Sequence, residues 1–570
     1  MGTAETAGAG DRGKVRNRLI LDAILLGVVG ALSAQLFMWM LGTAQHLLLE
    51  ELAGYSPPRL PVEGGALRET IGAHGLWLIP LVTTLGGLVS GLLIYTFAPE
   101  AEGHGTDTAV KAFHRAAGFL RARVPPLKMI GSAITIGSGG AAGREGPTAL
   151  ISAGVGSLYG TILRRPEQER RMLVLIGMAA GLSAIFRSPI GTAIFAIEVL
   201  YSDMEFDADA LLYTLLGAVV AYAVNGLFVG YAPLFRVPPD LSAPAFYDYG
   251  WYVLLGVAAG AVATILPPVF YGVRDLFAAL PGPPHIRPAV GGLGLGILAL
   301  FLPQVLGGGY GWIQEAFDGS IPLKLLLVLT FAKILALSLT VSSGGSGGVF
   351  APSLFVGAML GAALADLFHQ PPAAMAVVGM AAVFAGAAHV PVATLLMVVE
   401  MTGGYHLLVP AALSVVLCYL TQAAFSRSLK YRSLYEAQVP GRADSPAHRM
   451  EHLSAALRLI GERPGDLLPS VPGDAELKGL LASGIPVSLP DGRQLILGVV
   501  RPQSPLAGMP IPERFPADVD GHAEVLAAFR EGETHLPNSG FRLRQGDQVL
   551  VVTAPGAWER LSRHFSPILS

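Results

Sequence analysis

Two stretches of this 570-residue chain repeat each other at an offset of 205 positions, and each ends in a glycine-rich run that leads into a helix inside an apolar segment. The first reads Ser138-Gly139-Gly140-x-x-Gly143-x-x-x-Pro147, the second Ser343-Gly344-Gly345-x-x-Gly348-x-x-x-Pro352. The same offset pairs Lys128 with Lys333, and Gly86-Gly87-x-x-x-Gly91 with Gly291-Gly292-x-x-x-Gly296. Farther on, Gly177-Met178-Ala179-Ala180 with Pro189 and Glu198 recurs as Gly379-Met380-Ala381-Ala382 with Pro391 and Glu400, the offset now 202, so a small length change falls in a loop. So many matches in register mark a duplication. A membrane chain built of two halves, each with an interrupted helix, is the expected layout of a protein that holds an ion near the bilayer midplane.

Composition sets the medium. Hydrophobic residues make up 52% of the chain and charged residues only 14%, where a soluble domain carries about 25% charged; mean hydropathy is +0.55. Apolar stretches of roughly 20 residues, the length of a membrane-crossing helix, lie near 19–48, 75–98, 127–160, 172–201, 209–230, 250–275, 287–306, 322–341, 349–367, 374–401 and 408–425. Residues 1–18 are polar and rich in Gly and Ala, with no small-residue cleavage pattern after the first apolar run, so a retained first helix is expected. A net charge of −3 is too balanced for a nucleic-acid partner. Lys and Arg nevertheless cluster at Arg12 to Arg18, Arg115 to Arg123, Arg164 to Arg171 and Arg427 to Arg432. By the positive-inside rule those loops and both termini face the cytoplasm, across the plasma (inner) membrane. The single cysteine, Cys418, excludes an intramolecular disulfide and any multi-cysteine metal site; no cofactor is expected.

The expected fold is an all-α polytopic membrane bundle of two inverted repeats with broken half-helices, followed by a small cytoplasmic α+β domain. The membrane part spans 19–437 after a tail at 1–18. Its repeats, about 60–235 and 250–437, are joined by a Pro-rich and aromatic loop near 235–250. A polar linker, 438–464, leads to the soluble domain, 465–570. There Ile485 to Ser488, a Pro490-Asp491-Gly492 turn and Leu495 to Val500 read as a β-hairpin, with another strand over Gln548 to Val552. The run Ser504 to Gly508 and the segment from Arg544 to Val552, closing on a helix, resemble the C-terminal (TrkA-C/RCK-C) regulatory domain of potassium-transport regulators.

A half-helix that starts inside the membrane presents unpaired N–H groups and the positive end of its dipole, a ready site for an anion. Three such starts are visible: Gly103-His104-Gly105, Gly143-Arg144-Glu145-Gly146-Pro147 and Gly348-Val349-Phe350-Ala351-Pro352. Glycine suits the sharp turn and the close approach to an ion, and proline early in a helix loses no hydrogen bond. No Gly-Lys-Ser/Thr follows these glycines, so none is a nucleotide-phosphate loop. Glycine-rich membrane segments often serve only helix packing. Packing does not explain an Arg-Glu pair inside one, and an ionisable residue at that depth costs roughly 2.5–3.5 kcal/mol on insertion scales. Glu145 is the leading functional residue.

These motifs together resemble the CLC family of chloride channels and proton-coupled chloride transporters, whose signatures are a GSGIP-type loop, a G(K/R)EGP loop, a GxFxP loop and a tyrosine after the last membrane helix. Here they read GHGTD at Gly103 to Asp107, GREGP at Gly143 to Pro147, GVFAP at Gly348 to Pro352, and Leu434-Tyr435. The resemblance, over about 60–437, implies a homodimer with one anion pathway per subunit. It implies that Glu145 is a gating glutamate, which occupies the anion's own site and leaves when protonated. Arg144 and Gly146 would lend backbone N–H groups to an outer site, and Val349 and Phe350 to a central chloride. Tyr435, or Tyr431 as a competing choice, would close the site from the cytoplasm. Lys128 and Lys333 would raise the local anion concentration or else snorkel to an interface.

Two departures bear on mechanism. The family's serine in the first loop is His104 here, beside Gly105 and followed by Thr106-Asp107, which leaves anion selectivity open. Proton-coupled members carry adjacent glutamates where this chain has Glu198-Val199. A proton path would use Glu198, or Asp203, Glu205, Asp207 or water in place of the acid that Val199 lacks. The residues thus fit passive or proton-coupled transport of chloride or a similar small anion, not an enzyme. A channel without proton coupling, regulated by the cytoplasmic domain, is the alternative. An intramembrane serine protease using Ser346 with His389 or His406, and a membrane-anchored sensor, are remote ones. The regulatory-domain resemblance implies a small ligand, such as a cyclic dinucleotide, on 465–570.

Overall fold

The structure is a computed structural model that describes residues 3–238 and 245–442 and, beyond them, parts of 445–566, with side chains from residue 16 onward. Two compact units divide between Gln438 and Val439.

In the first unit, the first half of the chain forms α1 (Thr3–Gln45), α2 (Ile79–Phe97), α3 (Thr106–Arg115), α4 (Val124–Gly137), α5 (Glu145–Ile162), α6 (Glu167–Phe186), α7 (Pro189–Glu198) and α8 (Ala208–Val229). The second half repeats them as α9 (Tyr249–Ala279), α10 (Arg287–Phe301), α11 (Tyr310–Phe317), α12 (Leu323–Val341), α13 (Phe350–Phe368), α14 (Pro372–Ala388), α15 (Pro391–Thr402) and α16 (Leu408–Ser426). A short hairpin of β1 (Tyr55–Ser56) and β2 (Thr70–Ile71) follows α1. Among the described residues, eight helices are long and apolar enough to cross a membrane.

The packing repeats with the sequence. Helix α1 packs on α4, α5, α6 and α8 as α9 packs on α12, α13, α14 and α16. The first repeat therefore opens with α1, earlier than the residue 60 at which the sequence markers begin; α1 and α9 have diverged too far to align by letter. The glycine runs at 86–91 and 291–296 are where α2 and α10 cross. A side chain on Gly87 would run into the Pro288 carbonyl, and one on Gly292 into that of Thr83, while the Thr83 hydroxyl donates to Gly292 O at 2.7 Å. These small residues let two backbones touch.

Three apolar stretches that read as single spans are each two half-helices. The run 127–160 breaks between α4 and α5, 172–201 between α6 and α7, and 374–401 between α14 and α15. At the last two, Arg187 (φ 56°) and His389 (φ 58°) hold left-handed conformations that end α6 and α14, and a proline two residues on restarts the chain. Neither residue is glycine, so in the letters the breaks are marked only by Pro189 and Pro391.

In the second unit, β3 (Val487–Ser488), β4 (Gln494–Val500), β5 (Glu524–Arg530), β6 (Glu533–His535), β7 (Gln548–Thr553) and β8 (Phe565–Ser566) form one antiparallel sheet in the order β3-β4-β7-β5-β6, with β8 against β4. The expected hairpin pairs Val487 with Leu495. Its turn and the expected closing helix fall largely outside the described residues. Val500, Leu506, Phe515, Val525, Leu543 and Val551 form the core over this sheet.

Candidate functional site

The two halves meet backbone to backbone at the glycine turns. Gly143 N–H donates to Gly348 O at 2.8 Å and Gly348 N–H donates to Gly143 O at 2.6 Å. The two residues are counterparts in the duplication and pair with each other, so the internal two-fold axis passes between them. This bridge places the starts of α5 and α13 side by side. Gly105, just ahead of α3, also abuts it, because a Cβ there would lie 2.8 Å from Gly146 O. Opposite, Gly308, just ahead of α11, approaches Ala351 in the first turn of α13. Four helix N-termini thus converge on one buried point. The N–H groups of Val349 and Phe350 have no protein acceptor among the described residues, as expected of first-turn amides.

Glu145 is buried at this point. Its carboxylate takes a hydrogen bond from the Tyr310 hydroxyl at the start of α11, while Oε2 has no hydrogen-bond partner among the described residues and lies beside Gly143, where a Cβ would also meet Ala351 in the first turn of α13. The acid from the first repeat therefore sits against helix starts of the second, in a position that suits an anion. The Arg144 side chain pairs with Glu63 at 2.5 Å, stacks over the Tyr310 ring at 4.6 Å and brings its Nε to 3.9 Å from the Glu145 carboxylate, so the guanidinium stands beside the acid. Beyond it lies a vestibule of about 250 Å³ lined by Arg59, Glu63, Arg144, Tyr310 and Trp312.

On the opposite side stand His104 and Tyr435, ring centroids 5.4 Å apart. His104 Nε2 lies 3.3 Å from Asp107, and its buried Nδ1 has no partner among the described residues. Buried Tyr435 lies near Thr106, the first residue of α3. Phe195 lies beside both Tyr435 and Phe350, at 6.3 Å and 6.4 Å, and encloses the space between them. Tyr431 is elsewhere, bonded to Asp275 at 2.9 Å. Two open cavities lead inward on this side, one of about 780 Å³ that includes His104, Lys111, Arg115, Arg274 and Arg287, the other of about 730 Å³ that includes Arg427, Lys430 and Arg432. Glu102, Asp107 and Glu436 also line the first and Asp203 and Glu436 the second, so each keeps a small excess of basic groups, which favours anions.

Lys128 and Lys333 are fully buried, so neither snorkels. Lys128 Nζ donates to Ala101 O at 3.0 Å and Gly103 O at 2.6 Å; Lys333 Nζ donates to Val305 O and Gly307 O, each at 2.7 Å. Each lysine fixes the loop ahead of a half-helix, α3 and α11 respectively, by hydrogen-bonding its buried carbonyls, one of which, Gly103 O, also accepts from Gly347 N–H at 3.2 Å.

Glu198 is buried at the start of α15. Its carboxylate accepts from Val392 N–H at 3.0 Å and Ala393 N–H at 2.6 Å. Its counterpart Glu400 accepts from Ile190 N–H at 3.2 Å and Gly191 N–H at 2.9 Å at the start of α7. The pair are reciprocal helix caps, and Val199 beside Glu198 is buried and apolar. Ser346 likewise bonds Ser132 at 2.8 Å and has no histidine partner, so the protease arrangement does not form. Among the described residues no cluster of His, Cys, Asp or Glu suits a metal ion. The sequence reading missed Tyr310 and Thr106. The only signal for them was their matched place just after the glycine loops.

Residues 86–423 match the family model described as voltage gated chloride channel. The H(+)/Cl(−) exchange transporter ClcA of Cronobacter sakazakii is 32% identical over 355 residues, 59% of this chain and 76% of the relative. Its namesake in Salmonella agona is 33% identical over 364 residues, 61% of this chain and 76% of the relative. Among solved structures, a slow cyanobacterial Cl−/H+ antiporter aligns with a TM-score of 0.64 at 23% identity, covering 73% of this chain and 96% of that one. A CLC-type fluoride/proton antiporter aligns at 0.62 and 24% identity, covering 74% and 98%. These last two establish a shared fold.

Proposed function

This chain belongs to the voltage-gated chloride channel (CLC) family, and from that premise we propose that it carries chloride across the membrane in exchange for protons, with Glu145 as the gate. The observation that carries the reading is the Glu145 carboxylate buried where the half-helix starts of both repeats meet and bonded by Tyr310 at the start of α11. An ionised carboxylate competes there with chloride for the same donors, and protonation removes its charge and weakens its hold. One group then couples the two ions. Exchange is favoured over simple conduction by the likeness to proteins named H(+)/Cl(−) exchange transporter. Val349 and Phe350 would bind the central chloride, Arg144 and Gly146 an outer one, and His104, Gly105 and Tyr435 would bound the inner end. The cationic cavities beside Arg115 and Arg427 fit the cytoplasmic mouth, with both termini on that side of the plasma membrane.

The test is the reversal potential of the purified protein in a bilayer under a proton gradient at fixed chloride. It moves with the proton gradient if transport is coupled, whereas indifference would make the protein a channel. A homodimer belongs to the same reading. Every residue assigned to the pathway comes from one chain, so crosslinked dimers keep the flux of one pathway per subunit. The second unit is read as a TrkA-C-like regulatory domain that takes a small ligand such as a cyclic dinucleotide, a reading that rests on domain resemblance. Its check is the same flux on chain truncated after Gln438: unchanged flux and unchanged response to the dinucleotide would remove the regulatory role.

A further inference from the structure

We propose that Tyr310 is the latch of the gate: its hydroxyl, donating to Glu145, sets how often the carboxylate leaves the pathway. The proposal rests on the reading of Glu145 as the gate.

Tyr310 is the first residue of α11 and is held on every side. Ahead of it, Gly307 (φ 59°) and Gly309 (φ 81°) turn the chain through conformations that glycine adopts at little cost, and Lys333 pins the Val305 and Gly307 carbonyls of this loop. One face of the ring lies under the Arg144 guanidinium at 4.6 Å. Phe235 stacks on the ring at 5.8 Å with planes 28° apart. Arg144 is fixed in turn by Glu63 at 2.5 Å. A ring so confined cannot swing aside, so its hydroxyl is a pre-set donor at the gate.

The duplication sharpens the point. Thr106 and Tyr310 are counterparts, each opening its half-helix after a lysine-pinned glycine loop. Thr106 lies near Tyr435 on the His104 side, whereas Tyr310 bonds Glu145 on the other. Of these two hydroxyls, the one from the start of α11 meets an acid.

A phenol O–H stabilises an ionised carboxylate more than a protonated one. The latch therefore favours the seated, ionised state and slows opening. The charged and titratable groups around the gate are Arg144, Glu63, Arg187, Lys333 and Tyr310 on one side and His104 and Tyr435 on the other. Tyr310→Phe changes one of them and keeps the ring.

The experiment measures chloride efflux from vesicles loaded with full-length protein between about pH 4 and 8, for wild type, Tyr310→Phe, Glu145→Gln and the double variant. Tyr310→Phe is expected to speed efflux at pH 7 by about tenfold and to move half-activation to higher pH by about one unit. In the Glu145→Gln background it is expected to change nothing, since the titrating partner is gone. An unchanged or slower Tyr310→Phe, or one that speeds Glu145→Gln equally, overturns the latch. Absence of efflux from wild type at every pH would instead refute the transport reading on which it rests.

Discussion

Glu145→Gln yields chloride flux that no longer varies between about pH 4 and 7, the range around an ordinary glutamate, and that runs at the acid plateau of the wild type throughout. Glutamine keeps the size and shape of the protonated acid but cannot ionise. The Tyr310 hydroxyl then faces a neutral amide in place of a full negative charge. Hydrogen bonds to a charged partner are roughly twice as strong as those between neutral groups, so the amide yields the site to chloride where the carboxylate did not. Proton movement coupled to chloride disappears in the same variant. Chloride efflux and proton uptake in vesicles across this pH range read both effects, and a variant that kept the normal pH response would show that another group gates.

The second large effect comes from a residue with no side chain. Gly146→Ala is expected to lower flux more than about a hundredfold and to abolish chloride binding by calorimetry, because the new Cβ runs into the His104 carbonyl and lies 2.9 Å from Gly348 Cα. Both neighbours are backbone, so no rotamer change relieves the clash, and the half-helix starts are forced apart. Gly348→Ala is expected to act the same way, its Cβ meeting Gly146 N at 2.7 Å. Gly272→Ala, with nothing within 4 Å, is the control and leaves flux unchanged. Normal chloride binding by Gly146→Ala would mean that the junction tolerates a gap there and is not the anion site.

Much of this was legible in the sequence because duplication writes its geometry twice. The glycine turns at 143 and 348, the prolines that follow them and the buried lysines were all marked by one offset. The half-helix breaks at Arg187 and His389 were marked only by the matched prolines two residues on, because a left-handed residue other than glycine has no compositional signature. Tyr310 was invisible for a different reason: it meets Glu145 across 165 positions, and its counterpart, Thr106, touches no acid. For Glu198 the letters held more than the family likeness alone: its match with Glu400 points to a role common to both repeats, and helix capping is such a role.

The central claim is that helix ends from both repeats hold an anion between them. Anomalous scattering from crystals grown in bromide tests it most directly, on the wild type and on Glu145→Gln. The account predicts a bromide at the N–H groups of Val349 and Phe350 in both, and in Glu145→Gln a second ion where the carboxylate stood. Bromide absent from those amides in both proteins would contradict it.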